Sequence, residues 1–195
     1  MKTRIIYKPL TGDTWKAFET LFGPRGACGG CWCMTWRLTK SEFDASKGEG
    51  NRNKMKKLAT SNEPIGVLAF DGDKPVGWCA IAPREKYRRL EKSRSLKPID
   101  NRPAWCVSCF FIAREYRMKG LSVGLLKAAV DYAESFGADV IEGYPVEPKD
   151  KKMPDVFAWT GILSSYLKAG FVEELRYSPS RPIVRYTGKS KSEKG

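Results

Sequence analysis

The strongest constraint on the fold lies in residues 104–146, where a strand, a glycine-bearing turn, a helix and a second strand follow in that order. Residues 104–112 are a run of Trp, Val, Cys and Phe, which suits a strand covered on both faces and so a place at the centre of a sheet. Leu121, Leu125, Leu126, Ala129, Ala133 and Phe136 recur at helical spacing up to Gly137, and residues 140–146 return to strand character. Strand, helix, strand demands a parallel crossover, which is right-handed and lays its helix on one sheet face.

The flanking segments extend this unit. Residues 4–8 read as a first strand, and Asp13 or Thr14 opens a helix that Gly23-Pro24 ends near Phe22. A Gly- and Cys-rich loop (23–35) precedes a polar, basic helical stretch to about Ser61. Residues 65–70 and 76–83 then form a hairpin around 71–75. Residues 84–103 read as a short helix and a loop, residues 158–169 as a helix stopped by Gly170, and 171–177 and 182–187 as closing strands. Without repeats or linkers, the expectation is one α/β domain over residues 1–187 and a basic tail over 188–195. With 195 residues, 42% of them hydrophobic, the chain can fill one core.

Histidine is absent, which excludes Ser-His-Asp triads, Cys-His nucleophiles, His-ligated metals and His bases. Proton transfer falls to Tyr, Glu, Asp, Lys, Cys, water or backbone. The net charge of +13 is concentrated: residues 51–57 hold four basic and no acidic residues, and residues 84–97 hold seven and two. Such stretches attract an anion, whether cofactor phosphates, an acidic acceptor or RNA, or are solvated helix faces. The opening residues lack the apolar core of an export signal, and no apolar run reaches the roughly 20 residues that cross a bilayer. A cytoplasmic location, no membrane association and six reduced thiols are therefore expected.

The chemistry is written between the central strand and its crossover helix. Gly120, Ser122 and Gly124 fall where the first turn of a helix leaves its N–H groups unsatisfied, and Arg117 and Lys119 add positive potential. A diphosphate suits such a terminus. Ile112 followed by Arg117-x-x-Gly120-x-Ser122-x-Gly124-Leu125-Leu126 resembles the GNAT superfamily pattern Val-x-Pro-x-Tyr-Arg-x-x-Gly-x-Gly-x-x-Leu-Leu, with departures at Arg114 and Ser122. Tyr166-Leu167-Lys168-Ala169-Gly170-Phe171 is similar to the family's Tyr-x-x-x-Gly-Phe, one strand later. The two motifs are correctly ordered and spaced, and the resemblance covers roughly residues 62–187.

The resemblance implies an α/β GNAT-like fold: a central mixed, mostly antiparallel sheet with a splayed parallel strand pair and helices on both faces. It implies an N-acetyltransferase moving acetyl from acetyl-CoA to a primary amine of a small molecule, peptide or protein by direct attack. The cofactor would lie on Phe111, Ile112, Ala113, Arg117, Met118, Lys119, Gly120, Leu121, Ser122, Val123 and Gly124. Tyr166 would protonate the departing thiolate. Glu142, a carboxylate in an apolar strand, is the candidate base, with a structural salt bridge or a water-chain base as alternatives.

Acceptor contacts are expected from the loop Cys28-Gly29-Gly30-Cys31-Trp32-Cys33-Met34-Thr35-Trp36-Arg37, through Cys31, Trp32, Trp36 and Arg37, together with Tyr144. That loop is read as packing over the acceptor entrance without a metal, zinc binding and redox pairing being the competing readings. A homodimer through exposed strands is possible in this architecture. A non-catalytic acyl-CoA-binding or RNA-associated module is the alternative function, although no RNA-binding signature is present.

Overall fold

The computed structural model describes residues 4–61, 63–148 and 158–188. Seven strands build one sheet: β1 (Ile5–Pro9), β2 (Gly66–Asp71), β3 (Lys74–Pro83), β4 (Trp105–Ile112), β5 (Val140–Gly143), β6 (Val172–Ser178) and β7 (Arg181–Thr187), in the spatial order β1-β2-β3-β4-β5-β7-β6. Every neighbouring pair is antiparallel except β4 and β5. The helices are α1 (Trp15–Phe22), α2 (Lys40–Ala45), α3 (Glu49–Thr60), α4 (Arg88–Glu91), α5 (Leu121–Glu134) and α6 (Leu163–Lys168). The expected mixed sheet, hairpin and crossover are all present.

Alternation along the strands divides the core between two faces. Val67, Cys79, Ile81, Val107 and Ile141 point one way and meet Leu121, Leu125, Leu126 and Ala129 of α5 and Tyr166 of α6. Leu68, Trp78, Ala80 and Cys109 point the other way, onto Phe18, Phe22, Trp32, Cys33 and Met55. At the centre of that second face Trp78 stands edge-on to Phe18 at 5.0 Å and donates its indole N–H to Cys33 Sγ at 3.2 Å. Ala82 continues the same side of β3, where it joins Tyr87, Leu90, Leu96, Cys106, Tyr144 and Ile183. Among the described residues no helix is long and apolar enough to cross a membrane.

Three segments differ from the sequence reading, each for a physical reason. The basic helical stretch is two helices, because Thr39 and Glu42 form a capping box that starts α2 while Gly48, at φ +84°, turns the chain before α3. That turn lets Gly48 N–H bond to Gly30 O at 3.0 Å, and a Cβ on Gly30 would lie 2.7 Å from Gly48 N. The strand expected over 140–146 ends at Gly143, with Val146 bridging separately to Ile162. The helix expected from 158 starts at Leu163 instead, because Gly161 adopts φ +84° and residues 158–162 take other partners. The basic tail expected over 188–195 lies outside the described residues after Gly188.

Part of the positive charge is paired internally. Arg52 pairs with Glu19, Lys86 with Glu63 at 3.1 Å and Arg88 with Glu42 at 2.7 Å. The basic helices therefore present less free charge to a partner than their composition suggested.

Candidate active site

The β4–β5 pairing runs only from Trp105↔Ile141 to Val107↔Gly143, while β4 continues to Ile112. From Ser108 onward the two strands part. The β3–β4 register shifts at the same place: Ala80 faces Cys109 and Ile81 faces Val107, which leaves Ser108 as the extra residue of a bulge. Beyond it, Ala113 donates its N–H to Val76 O on β3 at 3.0 Å, so that amide, expected to face a cofactor, is committed to the sheet. Phe111 packs its ring on Phe22 at 5.2 Å. The backbone groups at the open edge are those of Phe110 and Ile112.

At the end of this opening the chain enters α5. Arg117 Nε donates to Ile112 O at 2.9 Å and so ties the loop to the end of β4. Met118 (φ 57°) and Gly120 (φ 80°) are both left-handed, and Met118 is 98% exposed. Gly120 caps the helix without a side-chain hydrogen bond, and a Cβ there would meet nothing within 4 Å. The first amides of α5 thus point outward at the positive end of a helix dipole. Lys119 Nζ sits 5.9 Å from the Tyr116 ring, and Val123 N–H returns to Gly120 O at 3.1 Å. Leu121 is core, Gly124 packs beneath the Tyr7 hydroxyl, and Ser122 Oγ reaches Ser165 Oγ at 3.0 Å. The last contact joins the loop to α6.

Tyr166, on α6, projects into the parting between β4 and β5. It is fully buried, stands edge-on to Phe110 at 6.1 Å, and donates its hydroxyl to Thr160 O at 3.0 Å. Burial pushes its pKa well above the usual phenol value. Gly143 on β5 leaves the room for its ring, since a Cβ there would lie 2.1 Å from Tyr166 Cε1. Gly143→Ala is accordingly expected to displace Tyr166 and to cost about 1–3 kcal/mol by overpacking, read from a urea unfolding midpoint. A variant as stable as the parent would show that the ring moves freely.

Residues 158–162 cross the opening. Trp159 O accepts the Phe110 N–H at 2.6 Å, and the Trp159 ring stacks on Trp36 at 5.7 Å.

Glu142 is almost completely buried, and both its oxygens are taken. Arg185 reaches Oε1 through Nε at 3.0 Å and Nη2 at 2.7 Å; Tyr144 donates to Oε2 at 2.6 Å, and Arg84 Nη1 lies 3.3 Å from that atom. Arg84 also donates to Tyr144 Oη at 2.5 Å and to Leu96 O at 2.6 Å, while Arg185 holds Asp100 at 2.6 Å. A carboxylate between two guanidiniums holds no lone pair for an acceptor amine, so the geometry speaks for the salt-bridge alternative and against a base. Tyr144, expected at the acceptor, belongs to the same network through its contacts with Cys106, Arg84 and Glu142.

The Cys-rich loop also divides. Trp32 is buried between Trp15 and Phe22, at 6.4 and 5.8 Å, and serves the core rather than an acceptor. Cys31 is half-buried and bonds to Gly26 O at 3.7 Å. All six thiols are free, and the described residues contain no group of three or more His, Cys, Asp or Glu able to hold a metal. Burial works to raise the Cys33 pKa, but hydrogen bonds with Cys109 and Trp78 and the charge of Arg37 bring it below the usual thiol value. Trp36 and Arg37 alone of the expected acceptor residues reach the parting of β4. Arg37 lies over the ring of Tyr87 at 5.0 Å, and Ser108 lies beside the Tyr87 hydroxyl without completing a hydrogen bond. Ser108 and Trp159 carried no sequence signal, and Tyr87 carried only that of an aromatic among basic residues, since only the fold brings the three together.

A family model described as "Acetyltransferase (GNAT) family" matches residues 32–156. No curated protein matches the chain in sequence. Among solved structures, the PaiA N-acetyltransferase of Thermoplasma acidophilum in complex with coenzyme A is 17% identical, with a TM-score of 0.52 over 94% of this chain and 99% of that one. The ribosomal-protein-S5-alanine acetyltransferase of Vibrio fischeri is 13% identical, with a TM-score of 0.54 over 95% and 94%. NAA60 of Arabidopsis thaliana, in complex with acetyl-CoA, is 10% identical, with a TM-score of 0.51 over 94% and 99%.

Proposed function

The chain belongs to the GNAT acetyltransferase family, and from that premise we propose that it transfers the acetyl group of acetyl-CoA to a primary amine by direct attack, in the cytoplasm. The observation that carries the reading is the uncapped start of α5, with Met118 and Gly120 left-handed, at the mouth of the β4–β5 opening. That arrangement fits the cofactor: the α5 amides and Lys119 suit its diphosphate, and the edge of β4 suits an extended amide chain once Trp159 O gives up the Phe110 amide. Arg117 acts through Ile112, holding the edge in place.

In this reading the Phe110 amide is the donor placed to stabilise the developing oxyanion. The Tyr166 hydroxyl is the only expected acid that lies at the parting, and its raised pKa keeps it protonated, as a donor to a leaving thiolate must be. Glu142 keeps β5 and β7 in register rather than moving protons, so deprotonation of the acceptor is left to water or to a neutral amine entering from bulk solvent.

Thermal unfolding with and without acetyl-CoA tests the cofactor assignment. A ligand at about a hundred times its dissociation constant adds roughly 2.7 kcal/mol, or about 5–10 °C for a chain of this size. An unchanged midpoint at saturating acetyl-CoA would sink the proposal.

A further inference from the structure

Three hydrogen-bond donors at the parting of β4 are buried without a partner: Arg37 Nη2, the Tyr87 hydroxyl and Trp36 Nε1. Arg37 is only 6% exposed and Tyr87 only 1%. A buried donor left unsatisfied costs about 1–3 kcal/mol, and more when it belongs to a charged group, so three in one place call for a cause. Other buried cations of the chain show the contrast. Arg84 and Arg185 each have carboxylate partners, whereas no described carboxylate pairs with Arg37.

The three groups share one location. Arg37 covers the Tyr87 ring, Tyr87 Oη lies beside the bulged Ser108, and Trp36 stacks on Trp159, whose carbonyl occupies the Phe110 amide. This is the sheet face opposite α5, beside the point where the acyl group would be transferred. A guanidinium and an indole can only donate, and a phenol can donate as well. Their complement is a group that only accepts and carries one negative charge, since a single guanidinium is available to balance it. A carboxylate meets both conditions, and guanidinium with carboxylate is the pairing with the best planar fit. A phosphate dianion would leave charge uncompensated in a closed site.

We propose that Arg37, Tyr87 and Trp36 bind the carboxylate of the acceptor, so that the amine acetylated belongs to a small amino acid. The proposal rests on the acetyltransferase reading and narrows it. The burial of the three donors favours a free amino acid over a polypeptide terminus, because a small acceptor can be enclosed with them and a long chain cannot.

The test measures CoA release from acetyl-CoA with the L-amino acids, β-alanine and γ-aminobutyrate, each beside its carboxamide, and with phosphoethanolamine and short peptides. The expected result is turnover of at least one amino acid, with kcat/KM about 100-fold above that of its amide. Arg37→Gln should remove that preference, raising KM for the acid by about 100-fold while the thermal shift with acetyl-CoA stays at its parental size. Arg37→Lys, which keeps the charge but loses the fork, should fall between. Equal rates for acids and amides, or a preference for phosphoethanolamine or peptides, would overturn the carboxylate site. So would a chain that shifts with acetyl-CoA but turns over no amino acid. A chain without that shift defeats the acetyltransferase reading itself. If Arg37→Gln does not fold, the acid-to-amide comparison on the parent chain decides alone.

Discussion

Glu142→Ala is expected to destabilise the chain by about 3–5 kcal/mol, a large part of the roughly 5–15 kcal/mol that holds a domain together. The substitution removes the one carboxylate that lies between Arg84 and Arg185 and leaves two guanidiniums in a space almost closed to water. Glu142 and Arg185 stand directly opposite each other on β5 and β7, so the loss also falls on the pairing that carries the second half of the sheet. A urea titration reads the effect as a lowered midpoint with an unchanged slope, and a thermal scan as a loss of roughly 10 °C or more. The combination of Glu142→Leu, Arg84→Met and Arg185→Met should recover much of it, because an apolar cluster avoids the burial of charge altogether. Unaltered stability joined to a lost turnover would instead restore Glu142 as a base.

Acid weakens the same network. Arg185 first, then Arg102, holds the Asp100 carboxyl well below its usual range. A depressed native value means that the contribution is complete above the unfolded value near 4 and disappears as pH falls through the native one. Stability should therefore decline with acidification below about pH 4, and Asp100→Asn should flatten that decline.

Tyr166→Phe carries the largest expected effect on rate. Loss of a positioned acid typically costs about 10²–10⁴ in turnover, whereas removing the Tyr166 hydrogen bond to Thr160 O costs about 1 kcal/mol of stability. The two roles separate cleanly. A donor to the thiolate lowers kcat and leaves the acetyl-CoA thermal shift intact; a packing residue leaves kcat as it was. The ring itself stays in both cases, so its contacts with Phe110 and Phe171 are preserved.

The parts of this fold that were legible in the sequence are those set by neighbours along the chain. The hairpin of β2 and β3 and the α5 crossover follow from alternation, periodicity and turn residues within a few positions. Glu142 was legible as an anomaly but not as a solved one, since Arg84 and Arg185 lie 58 and 43 residues away. The break between α2 and α3 was hidden for a related reason: Gly48 turns the chain at φ +84° and Gly30 has no room for a Cβ against Gly48 N, an approach that exists only once the loop is folded. Residues 158–162 were read as the start of a helix, yet Gly161 closes a turn on Ala158 O and Trp159 O goes to the Phe110 amide. Within the site, Arg37 was visible as a cation in an odd loop. Tyr87 was not, because an aromatic in a basic stretch resembles any other until the bulge at Ser108 is set beside it.

The crossing of residues 158–162 makes the chain a competitor for its own cleft. Trp159 O holds the Phe110 amide and Thr160 O holds the Tyr166 hydroxyl, so one short run of backbone occupies two groups that an acyl donor would use. Any ligand that takes the Phe110 amide displaces Trp159 first, and its apparent affinity is the intrinsic one reduced by the fraction of chains already open. Each roughly 1.4 kcal/mol in favour of the crossed arrangement weakens apparent binding about tenfold.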